Sequence, residues 1–438
     1  MRTDFPKDPL PFPESPTAVT KELAHLGGPP LIDKDHRRTL SPMITKEDVL
    51  QMLMAAKSPE LIVDQFTGEY VTYVGANFGL ATASGTASLH LALVGAGIEP
   101  GEEVVLPAFT FIATAQAVVA AKAVPVFADI DQRTYNLDPA AAERAIGPRT
   151  KALMPVHGHG LSADIAALRE ISERRGLKLI EDASHAHSAK WRGAICGSLG
   201  DAAGQSLMAD KNFPVGGEGG IAFFRDASSY DRAQRFVEDN GIDYRMSWIA
   251  AAFGSSQLRR LPYYDEIRAR NAAYLSRELN TTGLFKPPYI PDGCVHSFNM
   301  FRIGLDPTSV GLEDLPIWQV KSAAQELLVA EGVPAREWQN QPIPCHLPFK
   351  NRLGFGRGTP FRMAERSLDY ARESFPNVLQ MLESTIVLCR ELRSPIEYER
   401  IQTYALAFKK VAARPDAIRK LARECNYKRP YDSAARLG

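Results

Sequence analysis

Lys211 lies in Gln205-Ser206-Leu207-Met208-Ala209-Asp210-Lys211-Asn212-Phe213, just ahead of Gly216-Gly217-Glu218-Gly219-Gly220. About thirty residues earlier, an apolar run ends in Glu181-Asp182-Ala183-Ser184-His185. A strand-end carboxylate, a serine and a lysine in this order suit an aldehyde cofactor. Such a cofactor needs a carboxylate for its ring nitrogen, a partner for its phosphate and an amine, which describes pyridoxal phosphate (PLP). Asp182 would favour the protonated pyridine, and a protonated ring is the electron sink of amine chemistry. Lys211 would form the internal Schiff base and then move a proton between substrate carbon and cofactor carbon. His185 could hydrogen-bond the phenolic oxygen of the ring. Each residue also has an ordinary reading: a helix-capping aspartate, a surface histidine, a solvated lysine. Their co-occurrence after apolar strands favours the site.

Two further segments could join them. Ser84 in Ala83-Ser84-Gly85-Thr86-Ala87-Ser88-Leu89 can cap a helix that Gly97 or Gly101 ends. A capped helix start with free amides is a ready phosphate site, although capping alone is commoner. Pro107-Ala108-Phe109-Thr110-Phe111 follows a strand and could stack an aromatic ring on a planar cofactor. A competing reading uses His157/His159 and His185/His187 as metal ligands near Asp182, giving a zinc or iron hydrolase. No cysteine joins those pairs, and the PLP reading already explains both loops, so no metal is expected. Gly216–Gly220 lacks the lysine-serine ending of a P-loop.

The elements that must position these groups form a regular pattern from about residue 80. Val104–Leu106, Val124–Phe127, Leu153–Val156, Leu179–Ile180 and Ile221–Phe224 read as strands alternating with helices. Their continuous apolar character fits a mostly parallel sheet covered on both faces, hence an α/β layered domain. A long helical pattern runs from Gln257 to about Leu279, and Pro287, Pro288, Pro291 and Gly293 then mark a boundary. We expect an arm and a large domain over 1–285, and a smaller α+β domain over 286–438 containing a strand at Phe298–Ile303 and a helix from Val320 to Gly332. The proline-rich first forty residues read as an extended arm.

Composition narrows the function. The chain has 438 residues, 45% apolar and 23% charged, with 51 basic and 51 acidic side chains. Zero net charge without basic runs argues against a nucleic-acid partner. Five scattered cysteines suggest a reducing, cytoplasmic setting. No stretch has the length of a membrane helix, so no membrane partner is expected.

Together these residues resemble the DegT/DnrJ/EryC1/StrS aminotransferases. The likeness runs over roughly 70 to 410, through Ser84–Leu93, Pro107–Thr114, Pro125–Asp131, Pro155-Val156-His157, Glu181–His187, Ser206–Lys211 with Gly217–Gly220, and Tyr244-Arg245-Met246-Ser247. It implies a PLP-dependent enzyme of fold type I, with a large α/β domain and a smaller C-terminal α+β domain. The enzyme would be a homodimer with shared active sites, moving an amino group from glutamate or glutamine to a keto-sugar or keto-cyclitol. The setting would be secondary-metabolite or cell-surface sugar biosynthesis. Lys211 matches the Schiff-base lysine and Asp182 the partner of the pyridine nitrogen. Phe111 falls where an aromatic stacks on the ring, Gly85, Thr86 and Ser206 at phosphate contacts, and His185 beside the ring oxygen. Alternatives are a dehydratase like aminohydroxybenzoate synthase and a PLP-binding protein without turnover.

Two residues depart from the family pattern. Asp243 stands where the family has the Asn that reaches the neighbouring subunit's phosphate; a carboxylate there would repel the phosphate unless turned away or protonated, and Asn240 is a candidate substitute. Asp210 is unusual before the lysine and is expected to face away from the site. His159 is expected to shape the substrate pocket.

Overall fold

The computed structural model describes residues 22–32, 43–393 and 398–432. The expected N-terminal arm lies mostly outside these ranges. The large sheet is built from β1 (Phe78–Thr82), β2 (Glu103–Pro107), β3 (Val124–Ala128), β4 (Thr150–Leu153), β5 (Lys178–Asp182), β8 (Ala202–Ser206) and β9 (Gly220–Phe224), in the spatial order β1-β9-β8-β5-β4-β2-β3. The intervening β6 (Lys190–Trp191) and β7 (Ala194–Ile195) pair with the later β11 (Cys294–Val295) in a small separate sheet. Within the large sheet β9 alone runs against the others. The carboxyl ends of β1, β2, β4, β5 and β8 therefore share one edge, where open α/β sheets bind ligands.

The side chains explain the layering. Val104, Leu106, Ala202, Ala222 and Phe224 face one side, where they pack with Leu89, Leu91 and Leu93 of α3 (Gly85–Gly95) and with α4 (Ile112–Ala120). On the other side, Val105, Val126, Leu153 and Leu179 pack against residues of α5 (Pro139–Ala145) and α6 (Ile165–Arg175). Ala203, Ile221 and Phe223 pack with α2 (Pro59–Val74), beyond the short α1 (Lys46–Ala55). Both faces are thus covered, as the continuous apolar strands require.

Three local expectations shift. The strand expected at Leu153–Val156 ends at Leu153, because Pro155 has no N–H for the ladder. The helical pattern through Gln257 divides into α8 (Trp248–Leu258) and α9 (Leu261–Asn280), with Pro262 in the first turn of the second. The strand expected at Phe298 begins only at Phe301, since Phe298 takes a φ of +49°.

A second core gathers β10 (Phe285–Lys286), β12 (Phe301–Leu305) and β13 (Thr385–Leu388) in an antiparallel sheet. It packs with α10 (Ile317–Ala330), α13 (Tyr398–Ala412) and α14 (Pro415–Glu424). Packing crosses the 285/286 division in several places. Leu23, Ile32 and the end of α9 lie in this second core. Conversely, Ile343 in the turn before α11 (Leu347–Lys350), Phe349 within it, and Val378 and Met381 of α12 (Pro376–Ser384) join the large domain's core.

Candidate active site

The seven sequence-selected residues, Gly85, Thr86, Phe111, Asp182, His185, Ser206 and Lys211, all line one cavity of about 250 Å³ at the carboxyl edge of the large sheet. It begins at α3, whose Ser84 Oγ accepts from the Ala87 amide at 3.2 Å. The first amides of a helix have no intrahelical partner and attract anions. A Cβ on Gly85 would stand 2.4 Å from Ser206 Cβ, and one on Gly220 2.4 Å from the Ser84 carbonyl oxygen. Glycine at both places lets β8, β9 and the start of α3 close into a cradle.

Asp182 ends β5 and is buried. Its Oδ2 accepts from the Thr114 hydroxyl at 2.7 Å, and its Oδ1 from the Ser184 amide at 3.0 Å. Thr110 Oγ1, 2.8 Å from Thr114 Oγ1, extends this chain of hydroxyls. The carboxylate is therefore fixed in orientation as well as buried. Phe111 caps α4 and is about half exposed, presenting an aromatic face to the cavity.

Lys211 sits on the loop that leaves β8 and returns to β9. The loop is closed by Leu207 N to Gly219 O at 2.8 Å and Ala209 N to Gly217 O at 2.8 Å, and Asn212 anchors it to the Ser297 carbonyl at 2.8 Å. Burial pushes the Lys211 amine down to about 8, against the pull of the Asp182 and Asp210 carboxylates. A buried amine of this kind is neutral far more often than a surface lysine near neutral pH, so it can act as nucleophile and proton carrier.

His185 and His187 are buried and held neutral by that burial, with His187 pushed down to about 3. His187 Nε2 donates to the Ser206 carbonyl at 2.8 Å, securing the end of β8. His185 Nδ1 has no partner among the described residues. In a polar cavity such an atom awaits a ligand oxygen. The histidine pairs do not converge: His157 Nε2 donates to Glu181 at 2.7 Å, and His159 Nε2 accepts from Arg302 at 3.1 Å. Among the described residues, no group of three or more His, Cys, Asp or Glu is placed to hold a metal ion.

Two expectations are corrected in this region. His159 does not line the cavity. It lies behind Trp338, with ring centroids 5.4 Å apart, and the Arg302 guanidinium fixes it there. Asp210 is among the residues that line the cavity, and its carboxylate pairs with Arg390 and Arg393. Asp243 is outside the cavity and exposed, its two carboxylate oxygens each 2.9 Å from an Arg245 nitrogen. Asn240 donates to the Phe236 carbonyl at the end of α7 (Ala227–Asn240). Sequence reasoning missed Thr114, Met300 and Trp338 as lining residues. Thr114 follows Phe111 by about one helical turn and was readable as its partner, whereas Trp338 lies far along the chain with no local signal.

A phosphate cradle, an oriented carboxylate, an unpartnered histidine nitrogen and a buried amine in one cavity fit a phosphorylated pyridine aldehyde. The family model for DegT/DnrJ/EryC1/StrS aminotransferases matches residues 47–315. The chain belongs to that family. It is a PLP-dependent aminotransferase of fold type I. Among relatives of the DegT/DnrJ/EryC1/StrS family, L-glutamine:scyllo-inosose aminotransferase of Streptomyces griseus is 30% identical over 440 residues, spanning 92% of this chain and 100% of that protein. Spore coat polysaccharide biosynthesis protein SpsC of Bacillus subtilis is 34% identical over 374 residues, 79% of this chain and 90% of that one. The crystal structure of 3-amino-5-hydroxybenzoic acid synthase superposes with a TM-score of 0.72 at 29% identity, covering 86% of this chain and 98% of that one.

Proposed function

We propose that this aminotransferase moves an amino group from glutamate or glutamine to a keto-sugar or keto-cyclitol in secondary-metabolite or cell-surface sugar biosynthesis. The observation that carries the reading is the meeting of Lys211, Asp182 and the Gly85 cradle in one cavity. Its support is a full-length relative whose name is that of a glutamine-dependent scyllo-inosose aminotransferase.

When bound, PLP supplies an aldehyde carbon and an electron-withdrawing ring at which amine and proton can be exchanged. Gly85 and Thr86 amides and the Ser206 hydroxyl would take the phosphate. Asp182, oriented by Thr114 and Ser184, would hold the ring nitrogen protonated. Phe111 would supply a face to the ring and His185 Nδ1 a partner for its oxygen. Lys211 Nζ would hold the cofactor and carry the proton in both half-reactions.

A homodimer with shared sites is part of the proposal. Ile44, Leu50, Leu53, Met54, Leu61 and Ile249 are each more than half exposed, an apolar surface fit for a second copy. Asp243 would meet the neighbour's phosphate only as an ion pair already neutralised by Arg245. A cytoplasmic location is supported by cysteines that are all unpaired. Among the described residues no helix is long and apolar enough to cross a membrane. A second reading, a dehydratase on a cyclic aminoketone, draws on the likeness to 3-amino-5-hydroxybenzoic acid synthase.

The test is a panel of nucleotide-linked keto-sugars, keto-inositols and a cyclic aminoketone, each incubated with glutamine or glutamate and analysed by mass spectrometry. An aminated sugar or cyclitol supports the proposal. Water loss from the aminoketone without amination of any ketone would replace it with the dehydratase.

A further inference from the structure

Among the described residues that line the cavity, only Met300 and Trp338 come from beyond position 285. Neither is among the groups assigned to the cofactor. Trp338 is partly buried, and three rings stand close to its indole at steep angles: Phe109 at 5.2 Å and 83°, His159 at 5.4 Å and 76°, and His185 at 5.5 Å and 67°. His159 Nε2 in turn accepts from Arg302 Nε at 3.2 Å and from a terminal Arg302 nitrogen at 3.1 Å. The other terminal nitrogen donates to Thr385 Oγ1 at 2.6 Å, and the guanidinium lies 5.2 Å from the Phe109 ring centre. Arg302 is buried, yet among the described residues no carboxylate pairs with it. A buried cation without an anion is costly, so its effect here is positional: it fixes His159, and His159 backs Trp338.

The backbone of this wall is strained as well. His159, Phe298 and Gln339 take φ values of +59°, +49° and +62°, which residues other than glycine rarely adopt. Such strain persists only where surrounding contacts dictate it, and it gathers at binding sites. One of those contacts is Met300 N to the His159 carbonyl at 3.0 Å. The indole presents an apolar surface, and its N–H has no hydrogen-bond partner among the described residues. A polyhydroxylated six-membered ring has the matching shape: C–H groups on its faces and hydroxyls around its rim. An open-chain amino acid offers no such face.

We propose that Trp338 is the specificity-determining residue for the acceptor, packing its indole against the C–H face of a cyclitol or pyranose ring, and that His159 and Arg302 are positioning residues that act through it. The choice of such a ring rests on the acceptor named under the proposed function.

Myo-inositol and methyl glucopyranoside carry no ketone to aminate, so they test the wall apart from turnover and separate a cyclitol from a pyranose. Calorimetric titration of the PLP-loaded holoenzyme should show at least one of them binding, about tenfold more weakly in Trp338→Ala and with an intermediate loss in Trp338→Phe. Acceptor KM should rise about tenfold more than donor KM in Trp338→Ala. Trp338 is partly exposed, so both variants should fold. His159→Leu should weaken the same polyol, and His159→Gln, whose side-chain oxygen can accept from Arg302, should restore it. Wild-type polyol binding and acceptor KM in Trp338→Ala would overturn the proposal. So would equal rises of donor and acceptor KM, or a wild-type holoenzyme that binds neither polyol. If polyol binding responds as described while no ketone is aminated, the wall stands and the aminotransferase acceptor reading fails.

Discussion

Replacing Gly85 with alanine would place a methyl carbon 2.4 Å from Ser206 Cβ and 2.9 Å from its Cα and Oγ. Neither Cα nor Cβ can rotate away, so the start of α3 and the end of β8 must separate by about 1 Å to restore ordinary contact. Overpacking of this kind costs ~1–3 kcal/mol, and the apoprotein should melt earlier. The same displacement parts the α3 amides from Ser206, the two halves of the proposed phosphate cradle. Losing one charge-assisted hydrogen bond, ~1.5–3 kcal/mol, would weaken PLP binding by roughly ten- to a hundredfold. The assay is a PLP titration of apoprotein by absorbance, with melting curves at each PLP concentration. The PLP-induced rise in Tm should shrink in the variant, because stabilisation by a ligand follows its affinity. Gly217→Ala is the control, since a Cβ there meets nothing within 4 Å. Wild-type melting and wild-type PLP affinity in Gly85→Ala would refute the close-approach reasoning.

Other residues give further expected outcomes. Thr114→Val removes the hydroxyl that donates to Asp182 at 2.7 Å and should weaken PLP binding about tenfold. Thr114→Ser should restore it in the same titration. His185→Leu should loosen PLP about tenfold by deleting the unpartnered Nδ1, with His185→Gln close to wild type. Burial disfavours the charged Lys211, so its neutral fraction grows as pH rises towards about 8 and is complete above it. Stopped-flow rates of covalent PLP uptake should therefore level off above about pH 8; a rate still climbing at pH 10 would mean an unshifted lysine.

The legible part of the site was the part written in short segments at strand ends. Asp182 and Lys211 follow apolar strands or loops whose order brings them to one sheet edge. Ser84 announced a capped helix that the structure contains. Strands β1 and β8 were illegible for a physical reason. Ala202-Ala203-Gly204-Gln205-Ser206 has no β-branched or aromatic residue, and in Phe78-Gly79-Leu80-Ala81-Thr82 Gly79 and Ala81 break up the strand-forming residues. At Gly204 a Cβ would strike the Leu89 amide nitrogen at 2.7 Å, so the strand gives up propensity to let α3 approach. Trp338 and Arg393 were beyond local reading because tertiary packing alone brings them to the cavity and the Lys211 loop. The orientation of Asp210 was misread for the same reason: its partners lie about 180 residues away.

The most direct test of the central claim is the near-ultraviolet and visible spectrum of the holoenzyme, recorded with and without glutamate or glutamine and beside Lys211→Ala. The account predicts a visible band that an amino donor bleaches in the wild type and that is lost or altered in the variant. A protein that gains no band from added PLP, or one whose band no amino donor changes, would contradict it.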